Sequence, residues 1–164
     1  MTGQPSLAAF WLADAGRTAA LGRALAPRLR PGDVIALQGP LGAGKTSLAR
    51  ALIHALPGPP GSESEPVPSP TFTLVQVYER MPAPVWHFDL YRIGRPEEVW
   101  ELGWEEALAG GIVLIEWPER LGSLLPGAAL LITLAPGSND DRQATLAGPA
   151  PWDRRLAGLR LDQA

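Results

Sequence analysis

Between positions 39 and 46 the chain has the sequence Gly-Pro-Leu-Gly-Ala-Gly-Lys-Thr, which fits the pattern GxxxxGK[ST] at every fixed position. An apolar run, Val34–Leu37, precedes this segment, and leucines at helical spacing follow it to about Leu56. A strand, a glycine-rich loop and a helix in this order form a phosphate-binding loop, or P-loop. The glycines let backbone N–H groups point at phosphate oxygens, and the first helical turn adds free donors and partial positive charge. The segment therefore predicts an α/β fold that binds a nucleoside triphosphate.

Lys45 is the only lysine among 14 basic residues, and the other 13 are arginine. A chain that uses arginine everywhere else keeps lysine where a compact, flexible ammonium group is required. In a P-loop this lysine contacts the β- and γ-phosphates, and the hydroxyl group that follows it binds Mg²⁺. Here that hydroxyl belongs to Thr46.

Two apolar runs end in an acidic residue: Ile112–Glu116 and Val85–Asp89. The active site of an open α/β sheet lies at the carboxyl ends of its strands, so both acids are expected near the phosphates. Glu116 is favoured as the metal ligand because its strand is the more completely apolar. Asp89 is then expected to polarise water or to complete the metal shell.

A segment rich in Pro, Gly and Ser, from Pro57 to Pro70, is predicted to be a loop of functional length. Thr71 follows it, and is either a sensor of the γ-phosphate or a strand-start threonine. His87 lies two residues before Asp89, on the same strand face. It is expected to bond a phosphate or Asp89, or to be a structural histidine.

The rest of the pattern predicts one α/β domain over residues 1–164, with a mixed or mostly parallel central sheet flanked by helices. Trp100 and Trp104 are expected on one helical face, as core residues or as a partner-binding patch. The further predicted strands are Leu7–Leu12, Thr73–Tyr78, Leu130–Leu134 and Gln143–Leu146. The further predicted helices run from Asp14 to about Pro27, Pro96–Leu108, Glu119–Leu125 and Trp152–Leu161.

Composition excludes several classes of protein. The net charge of −3 gives no basic footprint, so contact with a nucleic acid would have to be local or shared with a partner. The absence of cysteine excludes disulfides and thiolate metal sites. No apolar run approaches the roughly 18 residues of a membrane span, and the N-terminus has no signal-peptide pattern. We therefore expect a cytoplasmic protein that is not bound to a membrane.

The P-loop leaves the reaction open. Guanine-specific GTPases read their base with a motif that needs a second lysine, and the chain has none. The glycine-serine signature of transporter ATPases is also absent. A small-molecule kinase, with Arg92 and Arg95 as candidate phosphate contacts, and a non-hydrolysing nucleotide-dependent binding module both remain possible.

Further motifs narrow the choice, because the chain resembles the bacterial TsaE family over about residues 14–134. Five blocks carry this resemblance, in the family's order: Leu41–Thr46, Ser69–Val75, His87–Arg92, Pro96–Glu98 with Gly103, and Glu116–Glu119. The family usually has Asp where Pro40 stands, and its loop after the P-loop helix is shorter. Residues 136–164 match poorly, and nothing is inferred for them.

The resemblance implies a P-loop ATPase of tRNA threonylcarbamoyladenosine biosynthesis that binds ATP and Mg²⁺. Such proteins work with a tRNA threonylcarbamoyltransferase and its inactive-paralogue partner, and reach tRNA through that complex. They do not transfer the threonylcarbamoyl group; their ATP hydrolysis is thought to reset the complex. Hydrolysis by the protein alone is expected to be slow, since the sequence shows no obvious arginine finger in cis.

The resemblance also assigns residues. The hydrolytic set is Lys45, Thr71, Asp89, Glu116 and Trp117, of which sequence alone would place Trp117 in the core. The metal ligands are Thr46 and Glu116. The nucleotide-binding set is Asp14, at the adenine end, with Gly39, Leu41, Gly42, Ala43, Gly44, Lys45, Thr46 and Ser47.

Overall fold

A computed structural model describes residues 4–161 of the chain. Its centre is one seven-stranded sheet with the strand order β1-β7-β6-β2-β5-β4-β3. The four strands from β6 to β4 in this order run parallel, and the outer pairings are antiparallel. The strands are β1 Ser6–Leu12, β2 Val34–Gln38, β3 Val75–Tyr78, β4 Val85–Asp89, β5 Ile112–Glu116, β6 Leu130–Pro136 and β7 Arg142–Ala147. The predicted mixed α/β sheet is confirmed.

Within residues 4–161, four α-helices accompany the sheet: α1 Ala15–Leu25, α2 Lys45–Ala55, α3 Trp104–Gly110 and α4 Trp152–Arg155. Alternate residues of one strand enter two separate cores, because side chains alternate across a sheet. In β5, Leu114 packs in the core that contains residues of α1 and α2, whereas Val113 packs in the core that contains residues of α3. Helices therefore cover both faces of the parallel strands, which explains why those strands are continuous apolar runs.

Helix α1 begins where the sequence predicts. Asp14 is its N-cap, and one carboxylate oxygen accepts a hydrogen bond from the Arg17 N–H at 3.0 Å. The helix ends at Leu25, and the 3₁₀ turn Ala26–Arg28 that follows contains Pro27. None of the helices formed by residues 4–161 is both long and apolar enough to cross a membrane.

The predicted helix Pro96–Leu108 is wrong. The segment forms a 3₁₀ helix, Pro96–Leu102, and then α3, with a break at Gly103, whose φ is +85°. Only glycine adopts this backbone conformation without strain, and a Cβ there would lie 2.8 Å from the Trp86 ring. The break lies where the chain packs against the Trp86 ring of β4.

The same break separates the two tryptophans that were expected on one face. Trp104 is 1% exposed and makes an edge-to-face contact with Phe88, with ring centroids 5.3 Å apart. Trp100 is 49% exposed. Core packing therefore describes Trp104 only.

Several other element boundaries differ from expectation, and two of the differences have a clear structural cause. β3 begins at Val75 rather than Thr73, because Leu74 has a φ of +69° and its N–H donates to the Pro70 carbonyl. The last helix ends at Arg155 rather than Leu161. The Arg28 guanidinium ends it by donating to the carbonyls of Arg155 and Ala157, both at 2.9 Å.

The predicted loop from Pro57 to Pro70 contains one 3₁₀ turn, Ser62–Ser64, and is attached to α2 and to the β3–β4 hairpin. Arg80 is 4% exposed and donates to the carbonyls of Ile53, Glu79 and Ser62 at 2.8 to 3.0 Å. It also pairs with the carboxylate of Glu65 at 2.9 Å. Two side chains of α2 add contacts to loop carbonyls: Arg50 to Val67 at 3.1 Å and His54 to Glu65 at 2.8 Å.

Candidate nucleotide-binding site

A cavity of about 350 Å³ lies between the glycine-rich segment, the start of α2 and the carboxyl ends of β4 and β5. All five residues of the predicted hydrolytic set line it: Lys45, Thr71, Asp89, Glu116 and Trp117. Six of the nine predicted nucleotide-binding residues line it: Lys45 again, with Leu41, Gly42, Gly44, Thr46 and Ser47. Residues spread over 77 positions of the chain thus meet at one sheet edge, as expected for an open α/β sheet.

Three predicted binding residues do not line this cavity. Gly39 and Ala43 each contribute a carbonyl oxygen to a side chain that does, Gly39 to Lys45 and Ala43 to Arg142. Asp14 caps α1, and its expected position beside a bound adenine stays a prediction.

The Lys45 ammonium group is held inside the glycine-rich segment. Nζ donates to the carbonyls of Gly39 at 2.6 Å and Pro40 at 2.9 Å, and lies 4.1 Å from the centroid of the Trp117 ring. A cation over an indole face is attracted by the ring quadrupole. Pro40 contributes only its carbonyl to this contact, so the unusual residue at the tip leaves the lysine position intact.

Burial lowers the pKa of Lys45 below its ordinary value of 10.5, and the carboxylates of Glu116, Glu119 and Asp89 oppose this shift. The side chain is 5% exposed in a cavity that also contains two acids. A lowered pKa means that the folded protein favours the charged amine less than water does. An anion bound beside the amine would reverse this preference.

Glu116 accepts hydrogen bonds from two neighbouring elements. Thr46 Oγ1 lies 2.8 Å from Glu116 Oε1 and 3.0 Å from Oε2. His87 Nε2 lies 2.7 Å from Oε2. The side-chain partner of His87 is therefore Glu116 rather than Asp89, and the suggested contact with a phosphate stays a prediction.

Asp89 lies beside Glu116 because β4 and β5 pair in parallel with these two residues in register. Its Oδ2 accepts from the hydroxyls of Ser69 and Thr71, both at 3.3 Å, and its Oδ1 accepts from the Tyr91 N–H at 3.0 Å. The loop that ends at Thr71 thus reaches the second acid of the cavity, in the place expected for a residue that senses a bound phosphate.

Trp117 leaves β5 in the left-handed backbone region, with a φ of +61°. A bulky residue in this conformation is strained, and such strain is found mainly at functional sites. The turn places the indole over Lys45 and against the Tyr91 ring, 4.8 Å away. The half-buried side chain still packs against the core that contains residues of α3, so the core position suggested by the sequence describes one side of it.

Sequence reasoning missed Arg142, which lines the cavity from the start of β7. Its Nη1 donates to the Ala43 carbonyl at 3.2 Å, across 99 positions of the chain. Gly44 has a φ of +100°, which favours glycine, and a Cβ there would overlap the Arg142 guanidinium and displace it. No local motif indicates Arg142. Its side chain reaches the cavity because β7 pairs with β6, which pairs with β2. The sequence shows no obvious arginine finger, and the structure adds the Arg142 guanidinium to the cavity lining. The expected slow hydrolysis by the protein alone stays a prediction.

The oxygen donors fit Mg²⁺. This ion prefers one or two carboxylates, phosphate oxygens and several waters to an all-protein cage. The Thr46 hydroxyl and the Glu116 carboxylate supply adjacent oxygens of the required kind. Within residues 4–161, no group of three or more His, Asp or Glu side chains is arranged to hold a metal ion.

Comparison with known proteins identifies the chain's relatives. The model of the family described as "Threonylcarbamoyl adenosine biosynthesis protein TsaE" matches residues 12–144. The chain belongs to the TsaE family. The match runs past residue 134, the limit drawn from the sequence blocks, and it includes Arg142.

Individual TsaE proteins support this assignment. The tRNA threonylcarbamoyladenosine biosynthesis protein TsaE of Rickettsia conorii is 40% identical over 129 residues, which are 79% of this chain and 71% of that protein. The TsaE protein of a Nostoc species is 41% identical over 142 residues, which are 84% and 83% of the two chains. The crystal structure of YdiB from Bacillus subtilis superposes with a TM-score of 0.76 at 25% identity and covers 97% of both chains.

Proposed function

We propose that this protein is an ATPase that binds ATP with Mg²⁺ and couples its hydrolysis to the tRNA N6-threonylcarbamoyladenosine modification. The observation that supports this most directly is the meeting of Lys45, Thr46, Asp89 and Glu116 in one cavity at the sheet edge. This arrangement provides a cation for phosphate, two oxygen donors for a metal ion and a further carboxylate near them.

Each of these side chains would have a separate role in ATP hydrolysis. Lys45 would bind the β- and γ-phosphates, in competition with the carbonyls of Gly39 and Pro40 that now accept from it. Thr46 and Glu116 would hold Mg²⁺, whose charge would stabilise the negative charge that develops on the phosphate. Asp89 would orient the attacking water, and Thr71, which donates to Asp89, would bring the loop against the γ-phosphate.

The partners follow from the relatives' role in tRNA threonylcarbamoyladenosine biosynthesis. We infer that the protein acts in the cytoplasm with the threonylcarbamoyltransferase and its inactive-paralogue partner. The net charge of −3 supports contact with tRNA through that complex rather than by this chain alone. Docking would complete or regulate the site and make hydrolysis faster than in the isolated protein.

The decisive experiment follows γ-labelled ATP with the purified protein, alone and with the transferase pair and tRNA. We expect free phosphate to form, and to form faster with the partners. Label transferred to a small molecule would instead identify a kinase. ATP that stays intact in every mixture would identify a nucleotide-dependent binding module. A rate that is equal with and without partners would contradict coupling while leaving the ATPase.

The lowered pKa of Lys45 predicts how nucleotide binding depends on pH. A phosphate beside the ammonium group should raise its pKa, so the complex binds more protons than the free protein in the alkaline range below about 10.5. Affinity for ADP should therefore fall as the pH rises from about 8 to about 10. Calorimetry in two buffers of different ionisation enthalpy should show net proton uptake. Proton release, or an affinity that rises with pH, would contradict the assignment.

Arg142 is expected to contribute to affinity. Its guanidinium carries a second positive charge to the cavity, and one hydrogen bond to a charged group contributes about 1.5–3 kcal/mol, or roughly 10- to 100-fold in binding. Arg142→Gln should weaken ATP binding by about this factor. The matched control is Arg154→Gln, which makes the same chemical change at an exposed position of α4. Equal affinity in wild type and Arg142→Gln would remove Arg142 from the site.

A further inference from the structure

His87 is fully buried in β4, and its Nε2 lies 2.7 Å from Oε2 of Glu116. We propose that His87 is a positioning residue that fixes the Glu116 carboxylate in the orientation that binds Mg²⁺. The inference rests on the proposed function and deepens it, because it names the group that sets the metal affinity of the same site.

The chemistry of the pair determines the direction of the bond. An ionised carboxylate only accepts hydrogen bonds, so Nε2 carries the proton and donates it. Glu116 is 3% exposed, which leaves little solvent to hold its oxygens in place. Its two side-chain donors come from opposite sides: the Thr46 hydroxyl from α2 and the His87 ring from β4.

Packing alone does not account for a histidine at this position. With Nε2 donating to Glu116, the other ring nitrogen, Nδ1, is buried and has no hydrogen-bond partner among the residues that the structure describes. Leaving a buried acceptor unpaired is costly, and an apolar side chain would avoid the cost. The hydrogen bond from Nε2 to Glu116 therefore explains why a histidine occupies this position despite its unpaired Nδ1.

The register between β4 and β5 fixes the position of His87 relative to Glu116. β4 and β5 pair in parallel with Asp89 opposite Glu116 and His87 opposite Leu114. His87 and Asp89 are two positions apart, so they lie on the same face of β4. One strand face thus supplies both the carboxylate proposed to orient water and the donor that holds the metal ligand. A ligand's outer partner, placed in this way, typically changes metal affinity or activity 10- to 100-fold when it is removed.

Three substitutions test the role. His87→Leu removes the donor; His87→Gln supplies an amide N–H at nearly the position of Nε2; His87→Asn carries the same amide on a side chain too short to reach Glu116. Binding of ADP is measured by calorimetry across a series of MgCl₂ concentrations and again in EDTA. Thermal unfolding of each unliganded variant is recorded in parallel.

We expect His87→Leu and His87→Asn to raise the MgCl₂ concentration needed for half-maximal enhancement of ADP binding by about 10- to 100-fold. Affinity for ADP in EDTA should stay within about twofold, and His87→Gln should restore most of the Mg²⁺ response. His54→Leu, which changes the chain's other histidine outside the cavity, should leave the response unchanged.

The contrary results are distinct. Variants that lower the unfolding temperature but keep the wild-type Mg²⁺ response would make His87 a purely structural residue and overturn the proposal. So would His87→Asn and His87→Gln behaving alike, since only one of the two amides reaches Glu116. A wild-type protein that binds no nucleotide would overturn the proposed function itself. Should His87→Leu not fold, the comparison of the two amides still decides.

Discussion

Lys45→Ala is expected to lower phosphate release from ATP by about 10²- to 10³-fold, the effect typical of removing one preorganised group that stabilises transition-state charge. The chain offers no second lysine, and Nζ already lies among the carbonyls of Gly39 and Pro40 and the Trp117 ring. The rate is measured with γ-labelled ATP in the presence of the transferase pair and tRNA. A variant that retains the wild-type rate would place the activity elsewhere.

The matched control is Lys45→Arg, which keeps the positive charge. We expect a comparable loss of activity, because a planar guanidinium is too wide for the space that the ammonium group occupies. A Lys45→Arg variant with more than half of the wild-type rate would show that charge alone suffices. The thermal unfolding temperature of unliganded Lys45→Ala is recorded in parallel, because the substitution also removes the contacts of Nζ with the Gly39 and Pro40 carbonyls and the Trp117 ring. A folded variant without activity assigns the loss to the ammonium group.

Asp89→Asn and Glu116→Gln are expected to separate water activation from metal binding. Both changes conserve shape and remove a charge. Asp89→Asn should reduce hydrolysis by about 10²- to 10⁴-fold, the range of general acid–base catalysis, with ADP affinity in MgCl₂ almost unchanged. Glu116→Gln should weaken the Mg²⁺ response of ADP binding by more than the roughly 10- to 100-fold typical of outer partners.

These two variants are compared in the same two assays, calorimetry with ADP over a MgCl₂ series and phosphate release with the partners present. An exchange of the two phenotypes would show that Asp89 holds the metal ion and Glu116 orients water. Equal loss of Mg²⁺ response in both would mean that the adjacent carboxylates, which are in register across β4 and β5, bind the ion together.

The sheet was predictable because its central strands are buried on both faces and are therefore continuous apolar runs. The segment at Trp100–Trp104 was not predictable by periodicity. The helical spacing of apolar residues continues through Gly103. The helix is interrupted there because Gly103 has a positive φ and lies against the Trp86 ring, a contact that the sequence does not reveal. The early end of the last helix also depends on a residue distant in sequence, because the Arg28 guanidinium donates to the carbonyls of Arg155 and Ala157.

The candidate site was predictable where a residue follows a strand or belongs to a local motif, as Lys45, Asp89 and Glu116 do. Arg142 was not, because the pairing of β7 with β6 brings it to Gly44 across the sequence. For Trp117, the alternation of side chains along β5 predicted a position in the core. The left-handed backbone at Trp117 ends that alternation and brings the indole to Lys45. His87 was placed on the correct strand face, but its partner depends on the register between two strands, which no single-strand pattern contains.

The attachment of the loop from Pro57 to Pro70 bears on how its sequence can change. Arg50, His54 and Arg80 contact it almost entirely through main-chain oxygens, those of Val67, Glu65 and Ser62. Every amino acid supplies such an oxygen, so these contacts do not select the side chains of the loop. Substitution at exposed loop positions such as Pro59 and Pro60 is therefore compatible with one path of the chain. Thr71 can keep its place beside Asp89 while these positions change, provided that the buried Val67 and the Asp89 partner Ser69 are retained.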